Sequence, residues 1–131
     1  MIVFRVTVFN MTTEKIDFGK EGEDLAINYL KKKGYKILER NFRCRMGEID
    51  IIALHKGTTV FIEVKTRSDY SFGIPEDSIN KRKQRHMIMS ALSYIKYKNL
   101  PQDGKLRFDV IGIDYGKGKP VINLIQDAFQ V

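Results

Sequence analysis

The chain has 131 residues, with 23 Lys and Arg against 16 Asp and Glu, a net charge of +7. That length supports one hydrophobic core and excludes two ordinary domains; 43% hydrophobic and 30% charged residues exclude a disordered chain and a membrane protein. A single cysteine, Cys44, excludes a disulfide framework and a Cys-rich zinc site. Residues 1–16 read as an N-terminal extension, and residues 17–131 as one domain. The apolar opening, Met1 to Asn10, has no basic leader or small-residue cleavage site, so it is not read as a signal peptide. It is either a short extra strand or a segment ahead of a start at Met11. An unpaired cysteine and no signal point to the cytoplasm. From Asp17 to Lys33, Phe18, Gly22, Leu25, Ala26, Tyr29 and Leu30 recur at helical spacing, and Gly34 follows as a stop. Tyr35 to Phe42 reads as extended. Glu48–Leu54 and Thr59–Lys65 are β runs joined by a turn at 55–58. Ser68–Pro75 is a loop. Ser78 to about Lys98 is a second amphipathic helix, with Met87, Ile88, Ala91, Leu92, Tyr94 and Ile95 on its apolar face. Leu106–Asp114 and Val121–Ile125 are strands. The order α-β-β-β-α-β-β implies an α/β fold, a mixed sheet with helices packed on it.

The positive charge is clustered. Residues 31–45 hold Lys31, Lys32, Lys33, Lys36, Arg40, Arg43 and Arg45 against Glu39 alone. Residues 78–102 hold Lys81, Arg82, Lys83, Arg85, Lys96 and Lys98 and no acid. Such stretches fit a polyanion, since neutralising phosphates releases counterions; the competing reading is a solubilising surface. A membrane surface fits less well, because neither stretch has a long apolar face.

The chemistry centres on the predicted β-hairpin. Alternation puts Glu48, Asp50 and Ile52 on one face and Ile49, Ile51 and Ala53 on the other. On the second strand Phe61, Glu63 and Lys65 share a face. A turn at 55–58 sets Leu54 opposite Thr59, which places Asp50 opposite Glu63 and Glu48 opposite Lys65. Opposed carboxylates in an apolar sheet repel and are costly to bury. A divalent cation with hard oxygen ligands, magnesium or manganese, would offset that cost. Lys65, on the same side, would steady a phosphoryl transition state. The competing reading is plain salt bridging, Glu48 with Lys65 and Glu63 with Arg67. Glu23 lies at the edge of the first helix's apolar stripe, within reach of a sheet-borne metal, or of a surface lysine. Gln84 falls inside the second helix's apolar arc and Lys83 beside it. Arg67 and the following loop, with Tyr70 and Phe72, could touch a nucleic-acid strand. Asp109, in an apolar strand, reads as a structural partner for Arg107 or a helix N-terminus. His55 in a turn and His86 on a helix lack ligand spacing. Arg43 and Arg45 would lower the Cys44 pKa, yet no base stands beside it.

Asp50 followed by Glu63-Val64-Lys65 resembles the core of the PD-(D/E)XK, restriction-endonuclease-like nuclease superfamily. Gly19-Lys20-Glu21-Gly22-Glu23-Asp24-Leu25-Ala26, Arg40-Asn41, Gly47 to Ala53, Phe61 to Arg67 and Arg107 to Val110 resemble, more closely, the YraN-like family of small uncharacterised bacterial proteins. The match runs from about Phe18 to the C-terminus. It implies a fold like that of Holliday junction resolvases. It also implies metal ligation by Asp50, Glu63, the Val64 carbonyl and Glu23, with Lys65 assisting catalysis. Gln84 and Glu48 are secondary candidates, and Arg43, Arg45, Arg67, Lys81, Arg82, Lys83 and Arg85 are candidate nucleic-acid contacts.

The expected function is a magnesium- or manganese-dependent endonuclease for structured or branched DNA. Symmetric cutting of two strands points to a twofold homodimer. A nucleic-acid-binding module that keeps the fold without cutting is the alternative. An accessory protein docking a partner through an apolar patch is a third.

Overall fold

The computed structural model describes residues 12–67, 79–101, 104–116 and 118–131, with side chains from residue 19 onward. The expected N-terminal strand and the loop carrying Tyr70 and Phe72 lie outside the described residues. The elements are α1 (Thr12–Lys32), β1 (Lys36–Cys44), β2 (Gly47–His55), β3 (Thr58–Arg67), α2 (Lys81–Tyr97), β4 (Leu106–Asp114) and β5 (Val121–Phe129). One five-stranded sheet has the spatial order β1-β2-β3-β4-β5. β3 and β4 are parallel and the other neighbours antiparallel. The parallel pair follows from α2, since a parallel connection needs a long crossover. This is the expected mixed α/β fold with helices on the sheet. Among the described residues, no helix is long and apolar enough to cross a membrane.

The two faces carry separate apolar clusters. Ala26, Ile27 and Leu30 of α1 pack on Ile51, Ala53, Val60, Ile62, Ile111 and Ile113. Met87, Ala91, Tyr94 and Ile95 of α2 pack on Phe42, Ile49, Ile52, Phe61 and Phe108. Central strands buried on both faces read as near-continuous apolar runs, and β2, β3 and β4 do so. Burying one side chain such as Phe61 contributes about 1.5–3 kcal/mol.

Local signals set the boundaries. Gly34, at φ 92°, ends α1 while Tyr35 N–H donates to Leu30 O and Gly34 N–H to Lys31 O. That pair of bonds is a Schellman stop. Asn80 caps α2, its side-chain oxygen accepting from Lys83 N–H at 2.8 Å. Lys56 and Gly57, at φ 51° and 81°, close a two-residue hairpin.

Several expectations need correction. α1 starts at Thr12 rather than Asp17. α2 starts at Lys81, and Leu92 is 51% exposed while Ser90 is fully buried in its place. β5 runs on to Phe129 across an irregularity between Phe108 and Val110. There Asp127 takes φ 54° and its N–H donates to Asp109 at 2.9 Å. His55 is a buried strand residue, not a turn residue. Finally, Ile49 packs beneath α2 with Ile52, not with Ile51 and Ala53 beneath α1. Strict alternation therefore breaks beside Asp50. The break faces Asn41 of β1, which sits at φ 51° between Arg40↔Ile51 and Phe42↔Ile49.

Candidate active site

The β2–β3 ladder pairs His55 with Thr58, Leu54 with Thr59, and ends at Ile51 with Ile62. The next position on each strand is a carboxylate, Asp50 and Glu63, so the register expected from the turn is the one observed. At this point the Asp50 side chain takes over from the backbone: its Oδ2 accepts the Val64 N–H at 2.8 Å. Both acids are nearly buried, at 5% and 6% exposure. Each opens on a cleft of about 820 Å³ at this end of the sheet.

Two lysines reach the Glu63 carboxylate. Lys65, two residues along β3, holds Nζ 3.9 Å from Oε2. Lys83, from the first turn of α2, holds Nζ 3.4 Å from Oε1. Oε1 is buried and accepts no hydrogen bond. A buried acceptor in that state is rare and points to a site rather than a scaffold. Glu23 of α1 lines the same cleft, but Arg40 Nη2 at 3.5 Å and Asn41 Nδ2 at 3.4 Å engage it. Arg40 also bridges to Asp24 at 3.0 Å. α1 reaches this close because Gly22 has no side chain: a Cβ there would stand 2.7 Å from Thr66 Oγ1.

The cleft thus gathers Asp50, Glu63, Val64, Lys65, Glu23, Glu48, Arg43 and Lys83. Glu48 pairs with Arg43 at 3.7 Å, its cross-strand partner on β1, and not with Lys65 as the competing salt-bridge reading had it. Arg67 is 7% exposed in the ladder beside Asp114, so it is not presented to a nucleic-acid backbone. Gln84 turns its amide to Ile79 O at 3.0 Å. Arg45, Lys81, Arg82 and Arg85 are exposed and outside the cleft lining. Lys20, Arg40 and Asn41 line the cleft; the sequence reading gave Lys20 and Asn41 no role and Arg40 only a place in a basic stretch. The Arg40-Asn41 pair inside a β run was the available signal, since Asn tolerates positive φ.

Among the described residues, no three His, Cys, Asp or Glu side chains stand together as a ready-made metal cage. The donors at the fork are two carboxylates and the backbone beside them. That set suits magnesium, which keeps several waters and binds through one or two carboxylates.

A second polar cluster lies on the α1 face, toward the other end of the sheet. Asp109, fully buried, accepts from Arg107 Nε and Nη2 at 2.9 and 3.0 Å. It also accepts from Tyr35 O–H at 2.8 Å and from Asp127 N–H. The expected Arg107 partnership is therefore present. Tyr35 Oη in turn accepts from Arg107 and Gln126. His55 stacks on Tyr35 with centroids 4.1 Å apart, and its Nδ1 lies 3.1 Å from Arg107 Nη2. Burial pushes the Tyr35 pKa up to about 12. Burial, then the charges of Arg107 and Lys56, push His55 below its usual value. The hydrogen bond to Asp109 raises Arg107. For Cys44, burial raises the thiol pKa, but hydrogen bonds with Ser90, Met46, Ser93 and Gly47 outweigh it and lower the net value. The lowering comes from these bonds and not from the flanking arginines.

Comparison with known proteins identifies the family. Residues 22–113 match the model of "Uncharacterised protein family UPF0102", and the chain belongs to that family. It is similar to the UPF0102 protein of Caldicellulosiruptor bescii, 52% identical over 114 residues, covering 85% of this chain and 95% of that one. A UPF0102 protein of Clostridium botulinum is 48% identical over 117 residues, covering 88% and 95%. One of Geobacter metallireducens is 44% identical over 121 residues, covering 92% and 98%. UPF0102 is the YraN family toward which the motifs pointed.

Proposed function

We propose that this UPF0102 protein is a divalent-metal-dependent endonuclease that hydrolyses phosphodiesters of structured or branched DNA in the cytoplasm. The single observation that carries the reading is the fork in the sheet. Asp50 and Glu63 sit buried on adjacent strands, Glu63 Oε1 makes no hydrogen bond, and two lysines stand at its oxygens. Scaffold carboxylates are closed by hydrogen bonds; Glu63 keeps one oxygen open beside a cleft.

Magnesium or manganese would be held by Asp50, Glu63 and the Val64 carbonyl, with water filling the other positions. Glu23 would join on release from Arg40. Such an ion supplies Lewis acidity toward a phosphate oxygen and a bound water of lowered pKa. The chain's own groups do the rest. Asp50, fixed by Val64 N–H, and Glu63 set the position of the reacting phosphate. Lys65 balances the charge that develops on the phosphoryl oxygens as water adds and the leaving oxygen departs. Lys83 holds the adjoining phosphate, while Lys20, Arg40 and Arg43 supply backbone contacts along the cleft wall. The resolvase-like resemblance adds the branched-DNA preference and a twofold dimer.

The test is cleavage of labelled four-way junction, flap, single-stranded and duplex DNA with magnesium, manganese or chelator. Metal-dependent cutting lost in Asp50→Ala supports the reading. Tight, salt-sensitive binding without cutting under any metal sinks it and leaves the binding module.

A further inference from the structure

The far end of the sheet gathers a second set of charges. β2 leads away from Asp50 to the turn at Lys56. β1 starts beside that turn, with Lys36 paired to Leu54. β4 starts beside β3, where Lys105 O accepts Thr59 N–H at 3.0 Å. α1 ends here in the run Lys31–Lys33. α2 ends here too: its first turn places Lys83 at the cleft, and its last turn carries Lys96, followed by Lys98. All of these lysines are exposed. Among the described residues none of them is ion-paired, whereas Arg40, Arg43, Lys65 and Lys83 at the cleft each face a carboxylate. The described acids nearest this end are Glu39, part-way along β1, exposed Asp127, and Asp109, which Arg107 closes. Asp103, in the α2–β4 connection, lies outside the described residues.

Lysines in the last turns of α1 and α2 have a local reason, since a helix C-terminus carries partial negative charge. Lys36, Lys56 and Lys105 have none. They come from two strand starts and a turn tip, spread over about 14 Å of sheet width at roughly 4.8 Å per strand. Unpaired like charges held together destabilise the folded state slightly and favour a polyanion. Six residue steps along β2 to its turn separate Asp50 from Lys56, about 20 Å at roughly 3.3 Å per step. One nucleic-acid segment in the cleft therefore leaves this pole free for another.

We propose that the lysine pole is a second nucleic-acid surface, holding one duplex arm of a branched substrate while the cleft holds the arm that is cut. The identity of the polyanion rests on the nuclease reading. The test is the combined variant Lys36→Gln, Lys56→Asn and Lys105→Gln, which spares both helix ends and keeps a residue that tolerates positive φ at the turn. Circular dichroism checks its fold. Its affinity for a four-way junction should fall at least about tenfold, and its log–log salt slope should shrink by about 2–3, three lysines at roughly 0.9 each. Cutting of a short linear duplex, which fills only the cleft, should be unchanged. Undiminished junction affinity with cutting intact overturns the pole and leaves the cleft reading standing. Pole-dependent binding with no cutting under any metal does the reverse. Binding through these lysines to phosphatidylserine vesicles or an acidic protein, with none to DNA, overturns the proposal.

Discussion

Two buried clusters of charged side chains use the same chemistry and are balanced in opposite ways. Around Asp109, every acceptor site of the carboxylate is taken: two nitrogens of one guanidinium, a phenol and a backbone N–H. Tyr35 Oη is equally complete. Around Glu63 the ammonium groups stand at 3.4 and 3.9 Å and one oxygen accepts nothing. The first cluster ties the exit of α1 to β2, β4 and β5, and a fully satisfied buried network of this kind rigidifies a core. The second leaves bonding capacity open beside a cleft. Saturation, rather than charge or burial, separates the closed cluster from the open one.

The comparison can be broken most sharply by exchanging losses. Lys65→Met should lower the rate of metal-dependent cutting by about 10²–10³-fold, the scale of losing one donor to developing charge, while leaving the melting temperature nearly unchanged. A large melting shift with little rate loss would make Lys65 scaffold. Asp109→Ala should do the opposite. Removing one partner of a buried ion pair costs about 3–5 kcal/mol, read by urea unfolding, and the remaining folded fraction should keep its rate per molecule. Gly22→Ala, which pushes a methyl toward the stiff Thr66 side chain, should cost about 1–3 kcal/mol in the same assay.

The smallest effect sharpens the contrast through pH. His55 is held below its usual pKa by burial and by Arg107 and Lys56, while Asp109 opposes them and Tyr35 stacks on the ring. As pH falls below about 6.5, the unfolded chain takes up a proton that the folded chain refuses, so stability declines. Melting temperatures from pH 8 to pH 5 should show this decline in the wild type and a shallower one in His55→Gln. Equal slopes in the two proteins would remove His55 from the Tyr35–Asp109 cluster.

Legibility followed distance along the chain. The Asp50–Glu63 pairing was readable because a strand repeats every two residues and the turn fixes the register within a short segment. The Lys83 amine at Glu63 was not, since helical periodicity says which face is apolar but not which sheet residue its edge meets. The Tyr35–Asp109 bond joins residues 74 apart, and no periodic pattern links them. Only its local half, Arg107 with Asp109, could be read. Ser90 escaped notice because a hydroxyl does not count toward an apolar stripe, yet it packs where Gly47 leaves room and meets Cys44 at 3.5 Å. The break in alternation at Ile49 lies opposite Asn41, a positive-φ residue on another strand, which a single-strand pattern does not show.

The central claim is that Asp50 and Glu63 hold a divalent cation, and calorimetric titration of manganese into the intact protein tests it most directly. The account predicts saturable binding that weakens by at least about tenfold in Glu63→Gln and is unchanged in the lysine-pole variant. No binding at millimolar metal in the presence of junction DNA, or equal affinity in Glu63→Gln, would contradict it.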